Sequence, residues 1–232
     1  MLSSRTMLRA PSGAAMARRS VVSPVATRAI KLYTNPGSRG KMTEWYLAEL
    51  GLQYETVNLN MRAGEHKTPA YLAINPFGKV PALQDGDLPL FESGAILLHL
   101  ANKYGKLSAD ELGRAAQWTL FANSTFSEAF FVKGPTQSSA GLMQTLNQLL
   151  GKSTFITGDQ FGAADVALGG YLLYLPMFFP DYEVAGPYPN VWRYMKDVAA
   201  RPSCPAPYRQ AMDEAVARVE KKGGNLLNKI FK

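Results

Sequence analysis

Strand-like alternation of apolar and polar residues stops near residue 91, while helical periodicity continues almost to the end of the chain. A chain patterned this way must put its sheet together from the first third and pack helices with the rest. Ile30 to Thr34 is a short β-type run closed by Asn35-Pro36-Gly37, and Lys41 to Leu50 reads as a helix ended by Gly51. Tyr54 to Asn58 has strand composition, and a short helix follows Gly64-Glu65-His66-Lys67. Pro81 to Asp85 and Leu88 to Phe91 flank Asp85-Gly86-Asp87, whose Asp-Gly step predicts an antiparallel hairpin. Ser93 to Tyr104 then predicts a helix with Ile96, Leu97 and Leu100 on one face.

Strand, helix and strand joined by a crossover imply a parallel pair, to which the hairpin adds antiparallel strands. The expected fold class is therefore a thioredoxin-like α/β domain over residues 30–104, followed by a linker at 105–108 and an all-helical domain over 109–220. In the helical part the pattern predicts helices at Ala109 to Val132, Ser138 to Leu150, Ala163 to Leu175, Val191 to Ala200 and Tyr208 to Glu220. Residues 221–232 read as a basic, solvated tail.

At 232 residues with 47% hydrophobic content, the chain can bury a substantial core. Its apolar runs fall short of the roughly 20 residues that cross a bilayer, so no membrane partner is expected. One cysteine, Cys204, excludes an internal disulfide and any Cys-x-x-Cys motif, and His66 and His99 make no metal cluster, so no metal is expected. The formal charge of +7 is misplaced: Arg5, Arg9, Arg18, Arg19 and Arg28 supply five of those charges before residue 30, where there is no acidic residue. The nearly balanced body offers no footprint for nucleic acid. The head, residues 1–29, is rich in Ser, Ala and Arg, the composition of an organelle transit peptide that import would remove near Ala29. The plainer alternative is a basic tail kept in the mature protein.

The most informative stretch is Asn75-Pro76-Phe77-Gly78-Lys79-Val80-Pro81-Ala82-Leu83 with Phe91-Glu92-Ser93-Gly94-Ala95-Ile96 downstream. Taken alone, Glu92-Ser93 is an ordinary helix cap. Taken together, the two segments resemble the glutathione-binding half of a soluble glutathione transferase, over residues 30 to about 200 and most strongly before residue 105. The resemblance implies a cis peptide before Pro81, which aims the backbone of Val80 at the cysteinyl part of glutathione. It further implies that Glu92 and Ser93 hold the end of the tripeptide that carries an ammonium and a carboxylate, where a helix N-terminus also favours an anion. By the same resemblance His66, Lys67 and Lys79 hold the glycine carboxylate, although lysines in such positions are also ordinary solvated surface.

The loop Asn35-Pro36-Gly37-Ser38-Arg39-Gly40-Lys41 stands where this family keeps its activating residue. It is not a nucleotide loop, because Asn35 replaces the first Gly of a Walker motif and Met42 replaces the Ser or Thr after the lysine. A free thiol with a pKa near 8.5 is only about 3% ionised at pH 7, so lowering that pKa by about 1.5 units, worth roughly 2 kcal/mol, is the task. One donor to a charged group is enough. Ser38 can donate its hydroxyl, and Arg39 can supply charge or a donor, as in the cyanobacterial chi-like members that this chain most resembles in Arg39 and Glu65-His66-Lys67. A cap for Ser38 and a surface charge for Arg39 are the alternatives. The redox members carry cysteine where Ser38 or Pro36 stands, and Cys204, between Pro202 and Pro205, reads as an inert structural thiol.

In the helical half, Thr157 to Asp165 resembles the family segment that starts a buried helix, but Gly162 stands where Ser or Thr would cap it, leaving half a capping box. Asp165 is expected to serve folding. Gly169 and Gly170 are expected to let another helix approach closely. Trp118, Phe121 and Thr125 share a face that either borders the electrophile pocket or packs in the core. The resemblance implies a glutathione transferase that joins the glutathione thiolate to a small electrophile, works as a homodimer and, given the head, resides in the plastid, with mitochondrion or cytosol as alternatives. A non-catalytic glutathione or ligand carrier of the same fold is the second expectation.

Overall fold

The computed structural model describes residues 30–230; the transit-peptide reading of residues 1–29 lies outside them. A four-stranded sheet forms first: β1 (Ile30–Thr34), β2 (Tyr54–Asn58), β3 (Ala82–Asp85) and β4 (Leu88–Phe91), in the order β2-β1-β3-β4. β1 runs parallel to β2 with Ile30 opposite Tyr54, and antiparallel to β3 with Ile30 opposite Asp85. Crossing from β1 to β2 requires a helix, and α1 (Gly40–Glu49) supplies it, ending at Leu50 before Gly51, whose φ of +64° suits the left-handed turn after a helix. The hairpin turns on Gly86, at φ +65°, and Pro89 is tolerated because β4 is an edge strand. A single 3-10 turn (Glu65–Lys67) and the short α2 (Pro69–Leu72), capped by the Thr68 hydroxyl, lead to the cis Val80-Pro81 bond that precedes β3.

Helices α3 (Ser93–Gly105) and α4 (from Ala109) flank residues 106–108, and Ser108 and Glu111 form a complete capping box at the start of α4. The long helix expected over Ala109 to Val132 is not uniform. It is α-helical to Phe121 and then widens into two π turns, Ala122–Phe126 and Glu128–Val132. The i→i+5 hydrogen bonds of a π turn shift the register, so that side chains four and five apart come together. Phe126 accordingly stands in a row with Phe121 (ring centroids 6.5 Å apart) and Phe130 (4.6 Å).

α5 (Gln137–Leu150), α6 (Ala163–Phe178), α7 (Pro189–Ala199) and α8 (Ala206–Ile230) complete the fold. Two of these ends differ from the sequence expectation. α6 runs past Leu175 and keeps Pro176 in its last turn, and α8 continues through most of the segment read as a solvated tail. Lys222 on that extension pairs with Glu183 at 3.0 Å.

The core does not stop at the linker. Leu32, Met42, Trp45 and Leu97 of the first half share one apolar cluster with Phe126, Leu168, Tyr194 and Tyr208 of the second. Gly169 and Gly170 make this possible as the sequence suggests: a methyl on Gly170 would lie 2.8 Å from Met42 Cε, and one on Gly169 would lie 3.3 Å from Val198 Cγ2. The missing half of the α6 cap is replaced by a network. Asp165, wholly buried, accepts from Gly162 N–H (3.0 Å), Ile156 N–H (2.9 Å) and the Tyr194 hydroxyl (2.9 Å).

Candidate functional site

Strand β1, in the interior of the sheet, ends at Thr34, and the loop that follows is wound tightly around one hydroxyl. Ser38 Oγ accepts from Gly40 N–H (3.1 Å) and from Asn35 N–H (3.4 Å) and lies 3.3 Å from Thr34 Oγ1. With both lone pairs turned to backbone donors, this hydroxyl keeps its proton to donate, and Thr34 Oγ1, whose own hydroxyl donates to Asn35 C=O at 3.5 Å, is the acceptor within reach. Asn35 braces the loop from below, donating Nδ2–H to Leu59 C=O at 3.1 Å and accepting Gly37 N–H at 3.3 Å. The winding demands glycine at position 40, where an added methyl would fall 1.9 Å from Thr34 Oγ1 and 3.0 Å from Ser38 Oγ.

Arg39 turns the other way, toward the helical half. Its Nη1 donates to the Tyr171 hydroxyl on α6 at 3.2 Å. Burial works against its charge, but Tyr171 and the Glu92 carboxylate more than offset that, so the guanidinium is held firmly in its charged form. Tyr171 belongs to an aromatic cluster with Phe131, Tyr174, Phe178 and Phe179. Phe131 lies 5.8 Å from Tyr171, 6.0 Å from Tyr174 and Phe178, and 5.7 Å from Phe179, ring centre to ring centre. No local sequence signal marks this wall, whose members are spread from residue 131 to residue 179. Trp118 and Phe121, which the helical spacing did single out, pack edge to face at 5.4 Å against the core cluster, and Thr125 is exposed.

The loop before Pro81 is tied down through one carbonyl. Lys79 C=O accepts from the Tyr71 hydroxyl at 2.5 Å and from Asn75 Nδ2–H at 2.7 Å, while Asn75 Oδ1 accepts Phe77 N–H at 3.1 Å. Val80 therefore sits in a fixed loop just ahead of the ladder, which begins where Ala82 pairs with Phe91. The 3-10 turn leans on this loop. Lys67 Nζ donates to Phe77 C=O at 3.3 Å, and Gly78, at φ +60°, leaves room for the His66 carbonyl and the lysine head that a methyl would meet at 2.6 and 2.8 Å. His66 Nδ1 is buried without a partner, and the Lys79 side chain is exposed.

Glu92 stands just before α3 with φ +70° and ψ +117°, a conformation that costs a non-glycine residue about 1–3 kcal/mol and is kept where the surroundings enforce it. Ser93 opens the helix, 2% exposed, its Oγ without a partner. The structure thus brings Arg39 into the field of Glu92, packs the His66-Lys67 turn on the loop before Pro81, and leaves the side chain of Lys79 facing solvent. Thr34, Gly40, Tyr71, Asn75 and Tyr171, which hold these groups, were not identified as such from sequence; Gly40 and Asn75 lay inside segments already marked as informative, and Thr34, Tyr71 and Tyr171 did not. Cys204 is buried, its thiol pushed up to about 12 mainly by that burial, which leaves it poor in thiolate. Among the described residues no group of His, Cys, Asp and Glu is arranged to hold a metal ion, and no helix is long and apolar enough to cross a membrane. Two concavities lie elsewhere: one of about 330 Å³ between α1, α4 and the loop before α6, and one of about 790 Å³ between the α6–α7 loop and α8.

Comparison with known proteins bears on the whole arrangement. Residues 28–102 match the glutathione S-transferase N-terminal domain, and residues 140–197 match the glutathione S-transferase C-terminal domain. The chain is 31% identical to glutathione S-transferase F9 of Arabidopsis thaliana over 68% of its own length and 86% of the relative's, and 30% identical to glutathione S-transferase 3 of Zea mays over 78% and 99%. A solved structure of glutathione S-transferase-I bound with lactoylglutathione superposes with a TM-score of 0.67 at 28% identity, covering 80% of this chain and 99% of that one. A loop that turns a serine oxygen to backbone donors at the head of α1, a fixed cis-proline loop and a strained carboxylate before α3, on this fold and with these relatives, make the chain a member of the glutathione transferase family and an enzyme of that class.

Proposed function

We propose that the enzyme joins the thiolate of glutathione to small, flat, apolar electrophiles. The observation that carries this reading is the division of labour in the loop at the head of α1. Ser38, its oxygen already accepting from two backbone N–H groups, has a proton to give, while Arg39 carries a charge into the cleft. In this reading the Ser38 hydroxyl donates to the sulfur, and the Arg39 charge favours the anion. Together they lower the thiol pKa by about 1.5 units, to near 7. Val80 and Pro81 meet the cysteinyl part of the tripeptide, Glu92 and Ser93 its γ-glutamyl end, and His66, Lys67 and Lys79 its glycine carboxylate. The buried Nδ1 of His66 and Oγ of Ser93, both unpartnered, support that assignment, because a polar ligand would satisfy them.

The electrophile would lie against Phe131, Tyr171, Tyr174, Phe178 and Phe179, which favours planar aromatic molecules. Proximity then does much of the work, since two reactants held in one cleft react as if unimolecular. A homodimer is part of the reading: Phe77 is 63% exposed and sits edge-on to Phe91, a large ring on the rim of the sheet suited to a partner's pocket. Plastid import and a role against toxic or stress-derived electrophiles complete it, supported by the arginine-rich, acid-free residues 1–29.

The test is conjugation of an isothiocyanate or an aromatic halide by the purified protein. The unaltered enzyme should exceed the solution reaction at pH 7, and the double variant Ser38→Ala, Arg39→Ala should bind glutathione yet lose at least 10-fold in rate. Binding of glutathione and apolar ligands with no conjugation above the solution rate would mark a carrier instead.

A further inference from the structure

The first turn of α3 carries more buried polar atoms than it satisfies. Six side-chain atoms in the described residues are buried without a hydrogen-bond partner, and three gather here: Ser93 Oγ, Thr119 Oγ1 and Asn123 Oδ1. The other three, Thr43 Oγ1, His66 Nδ1 and the Tyr182 hydroxyl, lie on separate segments, and the buried Asn75, Asp85, Ser139 and Asp165 all have partners. Leaving such an atom unpaired costs about 1–3 kcal/mol, so a cluster of three calls for a polar occupant.

Thr119 and Asn123 lie one turn apart on the long helix, Asn123 inside the first π turn. That face rests on α3 at Gly94, where an added methyl would stand 2.5 Å from Asn123 Nδ2 and 3.2 Å from Thr119 Cγ2. Directly before this contact comes Glu92 in its strained conformation. The geometry therefore gathers a carboxylate, a hydroxyl, the N–H groups that open α3 and an acceptor-only carboxamide oxygen in one corner.

We propose that Asn123 is a binding residue for the α-ammonium of the γ-glutamyl group, with Thr119 a positioning residue that sets Asn123 and Ser93; this rests on the glutathione reading of the site. The chemistry of the orphans assigns the ends. Asn123 Oδ1 accepts only, so it needs a donor, which the ammonium brings directly or through one water. Ser93 Oγ–H and the free N–H groups of α3 donate, so they take the carboxylate. Thr119 is fully enclosed and acts through its neighbours.

Calorimetric titration with two ligands tests this: glutathione, and glutaryl-cysteinylglycine, which keeps the carboxylate but lacks the ammonium. Asn123→Leu should weaken glutathione about 10-fold and change the analogue less than 2-fold, while Asn123→Asp, which retains an acceptor, should restore glutathione binding. Thr119→Val should weaken glutathione about 3-fold while its melting temperature holds or rises, because an isosteric methyl removes an unpaired hydroxyl. Should Asn123→Leu fail to fold, Gly94→Ala displaces the carboxamide with a single methyl and should show the same selectivity. Unchanged glutathione affinity in these variants, or equal losses on both ligands, would overturn the inference and leave a packing contact. Failure of the unaltered protein to bind glutathione at all is a different result, which overturns the tripeptide reading and this inference with it.

Discussion

Ser38 and Arg39 are adjacent in the chain and serve different neighbours, one the loop beneath it and the other a tyrosine 132 residues away. The sequence identified both as candidates because the loop lies between the first strand and the first helix. It could not rank them, because the ranking depends on partners that only the fold supplies. Ser38 is committed as an acceptor by Asn35 and Gly40, and Arg39 is held by Tyr171. The two single variants should accordingly behave differently: Ser38→Ala removes a donor and should raise the bound thiol pKa, while Tyr171→Phe should loosen Arg39 and weaken activity less than Arg39→Ala does. Gly40 has the least freedom of all. Gly40→Ala would drive a methyl into the Thr34 hydroxyl and should cost about 1–3 kcal/mol in urea unfolding, with most activity lost, since Ser38 moves with that turn.

Among the elements, α6 shows most clearly how a sequence departure is resolved. Gly162 supplies no side-chain cap, and the deficit is met by Asp165, whose carboxylate holds two N–H groups and the Tyr194 hydroxyl. Asp165→Ala would orphan all three donors and should destabilise the fold by about 3–5 kcal/mol, read from the urea midpoint. Burial pushes the Asp165 carboxyl up to about 6, against the pull of its hydrogen bonds. Because that is above its unfolded value near 3.8, the native state binds the proton more tightly, and this group's contribution to stability should fall as pH rises from about 4 to about 6. Asp85 has the opposite sign. Burial raises it, but hydrogen bonds from Lys103 (2.6 Å), His99 (2.7 Å) and Tyr104 (2.9 Å) prevail and hold it below the usual range. Its contribution is present above the unfolded pKa and lost as pH falls through the folded one, so Asp85→Asn should flatten the acid limb of the stability curve. The strands, the hairpin and the start of α3 were legible because apolar spacing and turn residues are local signals. The π turns after Phe121 and the run of α6 through Pro176 were not, since both answer to the aromatic side chains packed around them, which lie far apart in sequence.

At the scale of the whole molecule, the end of the sheet at Phe91 was readable from the change of period, whereas the joining of the halves was not. Besides the shared core, Arg201 clasps Glu49 with Nε and Nη2 at 2.6 and 2.7 Å while lying 4.0 Å over the Phe161 ring. Ser203 adds a third hydrogen bond to the same carboxylate. Arg201→Ala should cost about 2–4 kcal/mol in cooperative unfolding, because it leaves a largely enclosed carboxylate short of its cation. That clasp bears on the proposed site because Arg39 joins the same two halves through Tyr171, which packs on Phe131. In the proposed reaction the loop at the head of α1 holds the sulfur of glutathione as an anion. The direct measure is the ultraviolet absorbance of the bound thiolate as a function of pH. A midpoint near 7 in the unaltered enzyme, returning toward about 8.5 when Ser38 and Arg39 are both replaced by alanine, is the predicted result. A midpoint equal to that of the free thiol in the unaltered enzyme, with glutathione bound, would contradict it.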